Sequence, residues 1–523
     1  MKKLFCILLA IALLLSVTAC SEKPAEDTTP SVPSLSVGYA SADISPTESL
    51  PLDGYSGTGT WDPEKRWSKS VEWPLLAISI AITDANDNTV LIVALDMLTA
   101  FMADAMRSAI NADTGIPKEN IYFHCTHNHN GVALRVQEPV VTNYIVQLTN
   151  SGVISASDAL KDRKPVKEVS TTFTRAEDCN TVRHYLVTDG EYLTANNAVL
   201  FGDTTWYGHT TIADDLLQMV KFSRDGGKDV VMINYQGHLC ASGMPMSTAT
   251  SDYAGVLRNY VETQLNCQSI FIQGGGGNLV MSTKLEDEVM RATSQDYQHL
   301  GQTLGADAVA AAANFAPIDI DNIRHKEQMV LLDTKDGGKM KAYLSAFAIG
   351  DFALVAAPFE IFDTNAMYVR ENSPYKMTFY SSCTNGANQY LSTPELYDWR
   401  VKYEVGGSPG GKGAAEAVQN HLLDMLNEFF CASGRTQTEK PAGYVREPFV
   451  PESDGKTYTI VKNADGSVMT KVKNNFLQFK VIREDGKQKY MLVKDEALAN
   501  TIAGMETAQF IFDHQNVVVD IVK

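Results

Sequence analysis

Short apolar runs alternate with helix-like segments from about residue 35 to about residue 432. Runs of roughly four to eight apolar residues between polar turns are typical of buried strands. An apolar run at 90–95, a helix-like segment at 103–111 and another apolar run at 121–123 follow this order. The pattern predicts an α/β fold in which mixed β-sheets are flanked by helices.

Further apolar runs in this region end just before polar or glycine-rich turns. They lie at 230–235, 269–273, 352–357 and 377–381, and an alanine-rich helical segment lies at 298–315. Binding sites in α/β folds usually lie beyond the C-terminal ends of strands. We therefore expect the polar residues that follow these runs to meet in one site.

The pattern changes after residue 432. Residues 433–447 are polar, contain Pro and Gly, and are predicted to form a linker. Residues 448–523 contain Asp-Gly turns between alternating runs, which predicts hairpins, one of them pairing 458–461 with 468–472. We predict a small, mostly β C-terminal domain with a role in packing or interaction.

Residues 1–20 have the order of a secretory signal peptide, with lysines, an apolar run and then small residues. The apolar run from Leu4 to Leu15 is too short to span a bilayer, which takes about 20 residues. The end of this segment resembles a bacterial lipobox, so Cys20 is the predicted lipidated residue. Residues 21–34 form the predicted flexible tether. We expect an exported protein anchored to a bacterial membrane through Cys20, with free secretion as the alternative.

The chain carries 62 acidic and 44 basic residues, which gives a formal net charge of −18. Nucleic acid binding needs a basic surface, so this charge argues against a nucleic acid partner. The negative charge also argues against electrostatic adhesion to anionic lipids. We therefore expect the lipid anchor to provide the contact with the membrane. The cysteines beyond Cys20 show no CxxC spacing, and export permits disulfides, but the sequence does not determine which cysteines would pair.

Histidines are concentrated after the run at 121–123, where His124, His127 and His129 stand within six residues. His-x-His at the end of a strand would direct the imidazoles of His127 and His129 to the same side. Two neutral imidazoles on one side are a common start of a transition-metal site, whereas an isolated histidine is more often a surface or core residue. The spacing therefore favours metal binding or catalysis.

Two more candidate ligands follow other apolar runs. His238 comes after 230–235 and offers a third imidazole. Glu360 comes after 352–357 and is flanked by apolar residues. A carboxylate there is costly to bury unless it is paired or bound to a metal, although the start of a helix would also accommodate it. Two histidines and one glutamate, with an open position for water, form a pattern of hydrolytic zinc sites.

An ordered set of short motifs runs through the same region. They lie at 37–46, 53–55, 94–96, 126–131, 234–238, 274–278, 358–360 and 390–397. Together they resemble the neutral/alkaline non-lysosomal ceramidases, which are zinc amidohydrolases, over residues 35–430. The resemblance implies a ceramidase-like hydrolase domain at 35–432 that binds Zn²⁺ and cleaves an amide bond.

The resemblance also implies roles for individual residues. The implied zinc ligands are His127, His238, Glu360 and Tyr390. His129 would then lie next to the ligands and position water or substrate.

Three further features are implied around the zinc. Arg183 would bind a substrate oxygen with its planar guanidinium, and Tyr403 would contact the scissile group. The glycine loop, represented by Gly276, Gly277 and Asn278, would supply backbone N–H groups to an oxyanion, because glycine allows close approach.

The glycine loop departs from the family pattern. Asn278 stands where the sphingolipid-cleaving members have Asp, and Val280 stands where they have an active-site Ser. The expected activity is hydrolysis of the amide bond of an N-acyl lipid such as ceramide. Two alternatives stay open, namely hydrolysis of another N-acyl compound or an ester on the same scaffold, and a non-catalytic lipoprotein that binds at a surface.

Overall fold

Two mixed β-sheets face each other and enclose the main apolar core in the computed structural model. The structure describes residues 34–55, 66–188, 194–196, 205–243, 247–282, 297–398, 403–472 and 475–523. The predicted signal peptide, Cys20 and all but the last residue of the predicted tether lie outside the described residues.

The larger sheet has nine strands. Its path runs in the order Gln268–Gln273, Val230–Tyr235, Leu216–Arg224, Lys164–Arg175, Ser36–Asp43, Leu76–Thr83, Thr89–Leu95 and Ile121–Cys125, and Ala316–Pro317 pairs with Lys164–Arg175 off this path. The pair at each end of the path is parallel, and the inner pairs are antiparallel.

The smaller sheet packs against one face of the larger sheet. Its strands run in the order Arg324–Asp333, Lys339–Ile349, Phe352–Ala356 and Met377–Ser381, and the last pair is parallel. Ile80 and Ile92 of the larger sheet lie in one buried cluster with Phe347, Phe352 and Phe379 of the smaller sheet. This cluster sets the spacing of the two sheets, because interiors are close-packed.

Helices cover the outer faces of both sheets. They are Ala103–Thr114, Pro139–Lys161, Asp252–Leu265 and Tyr297–Ala311 on the larger sheet, and Asp363–Asn372 and Ala414–Ser433 on the smaller sheet. A short helix, Tyr403–Gly407, packs through Val405 against Phe362 and Tyr390 instead. Single 3₁₀ turns occur at Lys118–Asn120, Ala312–Asn314 and Pro394–Asp398. Strand Thr89–Leu95 is buried at every position because both faces of its sheet are covered.

The predicted α/β fold class, with mixed sheets flanked by helices, is confirmed. None of the helices in the described ranges is both long enough and apolar enough to cross a membrane.

Short ladders connect the loops at one end of the two sheets. They pair Ser70–Val71 with Thr248–Ala249, Asn180–Val182 with Leu279–Met281, and Glu360–Ile361 with Tyr390–Leu391, and they place His184–Thr188 between Thr194–Asn196 and Thr205–His209.

The C-terminal part contains an eight-stranded sheet. Its path is Glu452–Ser453, Phe510–Phe512, Val517–Ile521, Gln488–Val493, Leu477–Arg483, Tyr458–Val461 and Thr507–Ala508; Thr470–Lys471 pairs with Leu477–Arg483, and the helix Glu496–Ala503 packs nearby. Residues 35–523 nevertheless form one compact unit, and the proposed domain boundary at 433–447 stays a prediction.

One of the predicted hairpins is wrong. The turn at Gly466 forms, but the strand Tyr458–Val461 pairs with Leu477–Arg483 rather than with 468–472. The turn therefore closes only a local loop, and the longer apolar strand at 477–483 provides the pairing surface. The second predicted hairpin, around Gly486, is present between Leu477–Arg483 and Gln488–Val493.

A buried ion pair fixes the end of strand Thr89–Leu95 to a helix. Arg258 donates two hydrogen bonds to the Asp96 carboxylate, at 2.9 and 2.6 Å. The backbone oxygen of Asp96 accepts from the Asn128 side chain at 3.1 Å, so the pair also supports the loop that carries His127 and His129.

We predict that Arg258→Met destabilises the fold by about 3–5 kcal/mol, because it leaves the Asp96 carboxylate buried without its partner. The measurement is the urea unfolding midpoint followed by tryptophan fluorescence. Lys161→Met is the control, since its partner Asp158 and Lys161 itself are solvent-exposed, and we expect no measurable shift. Equal midpoints for the two variants would contradict the structural role of the pair.

Candidate functional site

His127 and His129 lie in a loop that follows the strand. The prediction that strand geometry directs both imidazoles to the same side is therefore wrong. The strand ends at Cys125, and His127 has a left-handed backbone with φ of 64°. The N–H groups of Asn128 and His129 donate to Met97 O and Leu239 O, at 3.1 and 2.9 Å. The two rings still meet, with centroids 5.1 Å apart, because loop hydrogen bonds hold them there.

His124 is a core histidine. It is fully buried on the strand, Gln273 N–H donates to its Nε2 at 3.0 Å, and its Nδ1 lies 3.0 Å from Ser382 O. Burial lowers the pKa of His124 to about 3. Its nitrogens are therefore occupied by neighbouring strands and loops, and it takes no part in the cluster formed by the other histidines.

The imidazoles of His127 and His238 are oriented by backbone carbonyls. His127 Nδ1 lies 3.0 Å from Leu98 O, and His238 Nδ1 lies 2.8 Å from Gly276 O and 2.9 Å from Leu279 O. Carbonyl oxygens only accept hydrogen bonds, so both rings carry their proton on Nδ1. Each ring therefore presents the lone pair of Nε2, as metal-binding histidines do.

Glu360 and Tyr390 are brought together by a two-residue parallel ladder in which they are direct partners. Glu360 N–H donates to Gln389 O at 2.9 Å, and the next helix begins only at Asp363. Glu360 is thus held in a strand and not in the first turn of a helix. The Tyr390 hydroxyl lies 3.5 Å from His238 Nε2.

The four predicted ligands converge on one point. Glu360 Oε2 lies 3.2 Å from His127 Nε2 and 3.4 Å from His238 Nε2, and all these side chains are nearly buried. Three atoms with lone pairs thus face each other, an arrangement that needs a proton or a cation between them. Burial disfavours a charge on the His127 imidazole and on the Glu360 carboxyl. The attraction between the two groups outweighs burial, so Glu360 raises the pKa of His127 and His127 lowers the pKa of Glu360.

His129 completes a second possible ligand group. Ligand atoms of His127, His129 and His238 lie within 4.8 Å of one another, so the three histidines could hold a metal ion. Neither ring nitrogen of His129 has a hydrogen-bond partner in the described part of the chain. Burial, followed by the neighbouring His127 and His238 rings, lowers the pKa of His129 well below its ordinary value. We favour His127 and His238 as ligands because only their rings are anchored through Nδ1.

Arg183 lies behind the ligands. Its Nε donates to Glu404 Oε1 at 2.7 Å, and its terminal nitrogen donates to Gly277 O at 2.7 Å. Its guanidinium also lies over the Tyr390 ring, 5.4 Å from the ring centroid. The guanidinium thus positions a predicted ligand, and its contact with a substrate oxygen stays a prediction.

Sequence reasoning missed Glu404, the buried partner of Arg183. Its second carboxylate oxygen lies 3.1 Å from His184 Nε2. Burial opposes ionisation, but Arg183 and then His184 lower the pKa of Glu404 to about 2. The one sequence feature that pointed to Glu404 as a residue of the site is its position directly after Tyr403. An acidic residue by itself does not indicate which cation it pairs with.

Tyr403 begins the short helix Tyr403–Gly407 at the mouth of the site. Its side chain is 46% exposed, and its ring centroid lies 5.8 Å from that of Tyr390. It can therefore reach a bound molecule, as its predicted role requires.

The glycine loop supports the site from behind. Gly276 O accepts from His238, and Gly277 N–H donates to Ile361 O at 2.8 Å, so that N–H is not available to an oxyanion. The Asn278 side chain donates to Asp363 Oδ1 at 2.7 Å and accepts from Asp363 N–H at 2.9 Å. The prediction that Gly277 N–H binds an oxyanion is therefore wrong, because this N–H bonds the loop to the neighbouring ladder Glu360–Ile361.

A cavity of about 420 Å³ opens onto the cluster. Its lining includes His127, His129, Glu360, Tyr390 and Tyr403. Pockets of roughly 300–1,000 Å³ are typical of small-molecule sites. A small molecule in this cavity could therefore contact the buried lone-pair atoms of the cluster, as in an enzyme or a small-molecule receptor.

The fold is similar to that of neutral ceramidase from Pseudomonas aeruginosa. Its crystal structure aligns with a TM-score of 0.61 and 14% sequence identity, covering 86% of this chain and 84% of that chain. A ceramidase structure complexed with C2 aligns with the same score, identity and coverage. No protein-family model and no curated protein matches the sequence. At this identity the likeness establishes a ceramidase-like fold.

We predict that His127→Ala abolishes zinc binding, whereas His129→Ala lowers zinc affinity by no more than about 100-fold, the range found for groups around a metal's ligands. Zinc per chain, measured by mass spectrometry after dialysis against a weak chelator, distinguishes the two. His124→Ala is the matched histidine control and should keep its zinc if it remains folded. A loss of zinc from His129→Ala as complete as from His127→Ala would instead place His129 among the ligands.

Proposed function

We propose that this protein is a zinc-dependent hydrolase of the neutral ceramidase family that cleaves the amide bond of an N-acyl compound. The proposal rests on one observation, the meeting of His127 Nε2, His238 Nε2, Glu360 Oε2 and the Tyr390 hydroxyl at the end of a cavity. The ceramidase-like fold supports it.

The donor set fits zinc. Two imidazole nitrogens, a carboxylate oxygen and a phenol oxygen are within the nitrogen and oxygen ligands that zinc accepts. The unpartnered Glu360 Oε2, buried between two lone pairs, supplies the negative charge that a cation would balance. When bound, zinc polarises a carbonyl and lowers the pKa of its water to about 7.

His129 is the proposed proton carrier in the hydrolysis. Its unpartnered nitrogens, beside the His127 and His238 rings, let it accept a proton from the attacking water. The water oxygen bonds to the acyl carbon, the carbon–nitrogen bond breaks, and the proton passes to the departing amine. The products are a carboxylic acid and an amine, with Tyr403 next to the scissile group and Arg183 holding Tyr390 in place.

An N-acyl lipid such as ceramide is the first substrate class to test, and another N-acyl compound or an ester is the alternative. Val280, which replaces the family's Ser, pairs with Thr181 in a short ladder and is not among the described residues that line the cavity. The replacement of the family's Ser by Val280 therefore does not change the residues that form the wall of this cavity.

We also propose that the protein is exported and attached to a bacterial membrane through a lipid on Cys20. The lipobox-like end of the apolar N-terminal segment supports this, and the net charge of −18 supports a membrane partner held by the lipid rather than a nucleic acid. An N-acyl lipid substrate would then lie within reach of the anchored enzyme.

We predict that the zinc-loaded protein releases fatty acid from at least one N-acyl substrate, and that chelation abolishes this and added zinc restores it. The panel consists of N-dodecanoylsphingosine, N-dodecanoylglycine and a dodecanoyl ester, with released dodecanoate measured by mass spectrometry. His129→Ala should lower kcat by about 10²–10⁴-fold while keeping zinc, the usual range for a lost general base.

Two outcomes would contradict the proposal. Turnover that persists in a protein stripped of metal would remove the zinc mechanism. Zinc binding without cleavage of any member of the panel would favour the alternative of a non-catalytic binding protein.

A further inference from the structure

Arg135 is the one arginine or lysine among the described residues that line the cavity. The backbone that carries it is anchored, since Ala133 N–H donates to Pro51 O at 2.7 Å and Val132 bridges to Leu52. Arg135 follows His129 by six residues in the same loop, so its position relative to the ligand cluster is fixed by the fold.

The Arg135 guanidinium lies over the Phe101 ring, 5.4 Å from its centroid. Phe101 is 41% exposed, so it presents an apolar face beside the cation. In the part of the chain that the structure describes, no carboxylate lies within ion-pair distance of Arg135. The stacking orients the guanidinium and leaves its N–H donors available to a ligand.

The other charges of the cavity are negative and already engaged. Glu360 faces His127 and His238. Asp53 Oδ1 accepts from Gly54 N–H at 2.9 Å, and burial raises the pKa of this carboxyl against the smaller, lowering effect of the Arg135 charge. In a chain with a net charge of −18, an anionic molecule is repelled at long range and needs a local cation to bind. A neutral lipid such as ceramide would make no use of Arg135.

We infer that the substrate of this hydrolase is an amide that carries an anionic group, a carboxylate or a phosphate, and that Arg135 binds this group at the mouth of the cavity. The inference rests on the proposed function and specifies its substrate class. A guanidinium matches both anions through paired N–H donors, and Phe101 offers contact to the alkyl part beside it.

The test compares three substrates with the same scissile dodecanoyl amide: N-dodecanoylglycine with a carboxylate, N-dodecanoyl-O-phosphoethanolamine with a phosphate, and uncharged N-dodecanoylglycinamide. Wild-type protein should show a kcat/KM for at least one anionic substrate that is about 10- to 100-fold above that for the uncharged one, the worth of a hydrogen bond to a charged group. The phosphate and carboxylate arms identify which anion is preferred.

Arg135→Met should remove this preference by lowering kcat/KM for the anionic substrates alone, and Arg135→Lys should keep part of it. Arg483→Met, an arginine of the C-terminal sheet whose partner is Asp485, is the matched control and should change nothing. Dissociation constants of the same three compounds, measured by calorimetry, provide a readout that does not depend on turnover.

The outcomes separate the two proposals. Cleavage of all three compounds with equal efficiency, unchanged in Arg135→Met, would overturn the anionic substrate class and leave the hydrolase standing. Binding of the anionic compounds that depends on Arg135, without cleavage, would support the anion site and overturn the hydrolase. Equal binding of all three compounds by wild-type protein and Arg135→Met would overturn the anion site, and Arg135 would then be a solvated surface residue.

Discussion

The site depends on one electrostatic constraint, the placement of the Glu360 Oε2 atom 3.2 Å from His127 Nε2 and 3.4 Å from His238 Nε2. Such atoms repel each other and are costly to bury unless positive charge lies between them. The backbone carbonyls that hold both Nδ1 atoms prevent the rings from turning away. The rest of the structure around the cavity therefore keeps an unfavourable arrangement in place, and a proton or a metal cation between these atoms would make it favourable.

Several distant parts of the fold share this task. The His127 loop is bonded to the end of strand Thr89–Leu95 and to Leu239, and the glycine loop contributes the carbonyls that orient His238. Behind them, the fully buried Glu404 carboxylate binds both Arg183 and His184, and the Arg183 guanidinium lies over the Tyr390 ring. Each group is thus positioned by a neighbour from another segment, as a preorganised site requires.

The strand pattern was largely predictable because buried strands leave continuous apolar runs. The runs at 90–95, 230–235 and 377–381 are strands, and their following turns do meet. Pairing was less predictable, because a partner is chosen by non-local packing: Asp-Gly marked a turn at Gly466, yet strand 458–461 pairs elsewhere. The pairing of Glu404 with Arg183 and the cavity position of Arg135 left no local signal in the sequence.

The sequence by itself determined which residue types stand after which strands, and so it determined the candidate donors, the α/β class and the acidic charge. Only the tertiary structure decided how these residues are used. It placed His127 in a left-handed loop conformation, directed Gly277 N–H to Ile361 O, and left Arg135 facing the cavity. The physical reason is that periodicity records whether a side chain is buried, whereas hydrogen-bond partners and cavity walls come from segments distant in the chain.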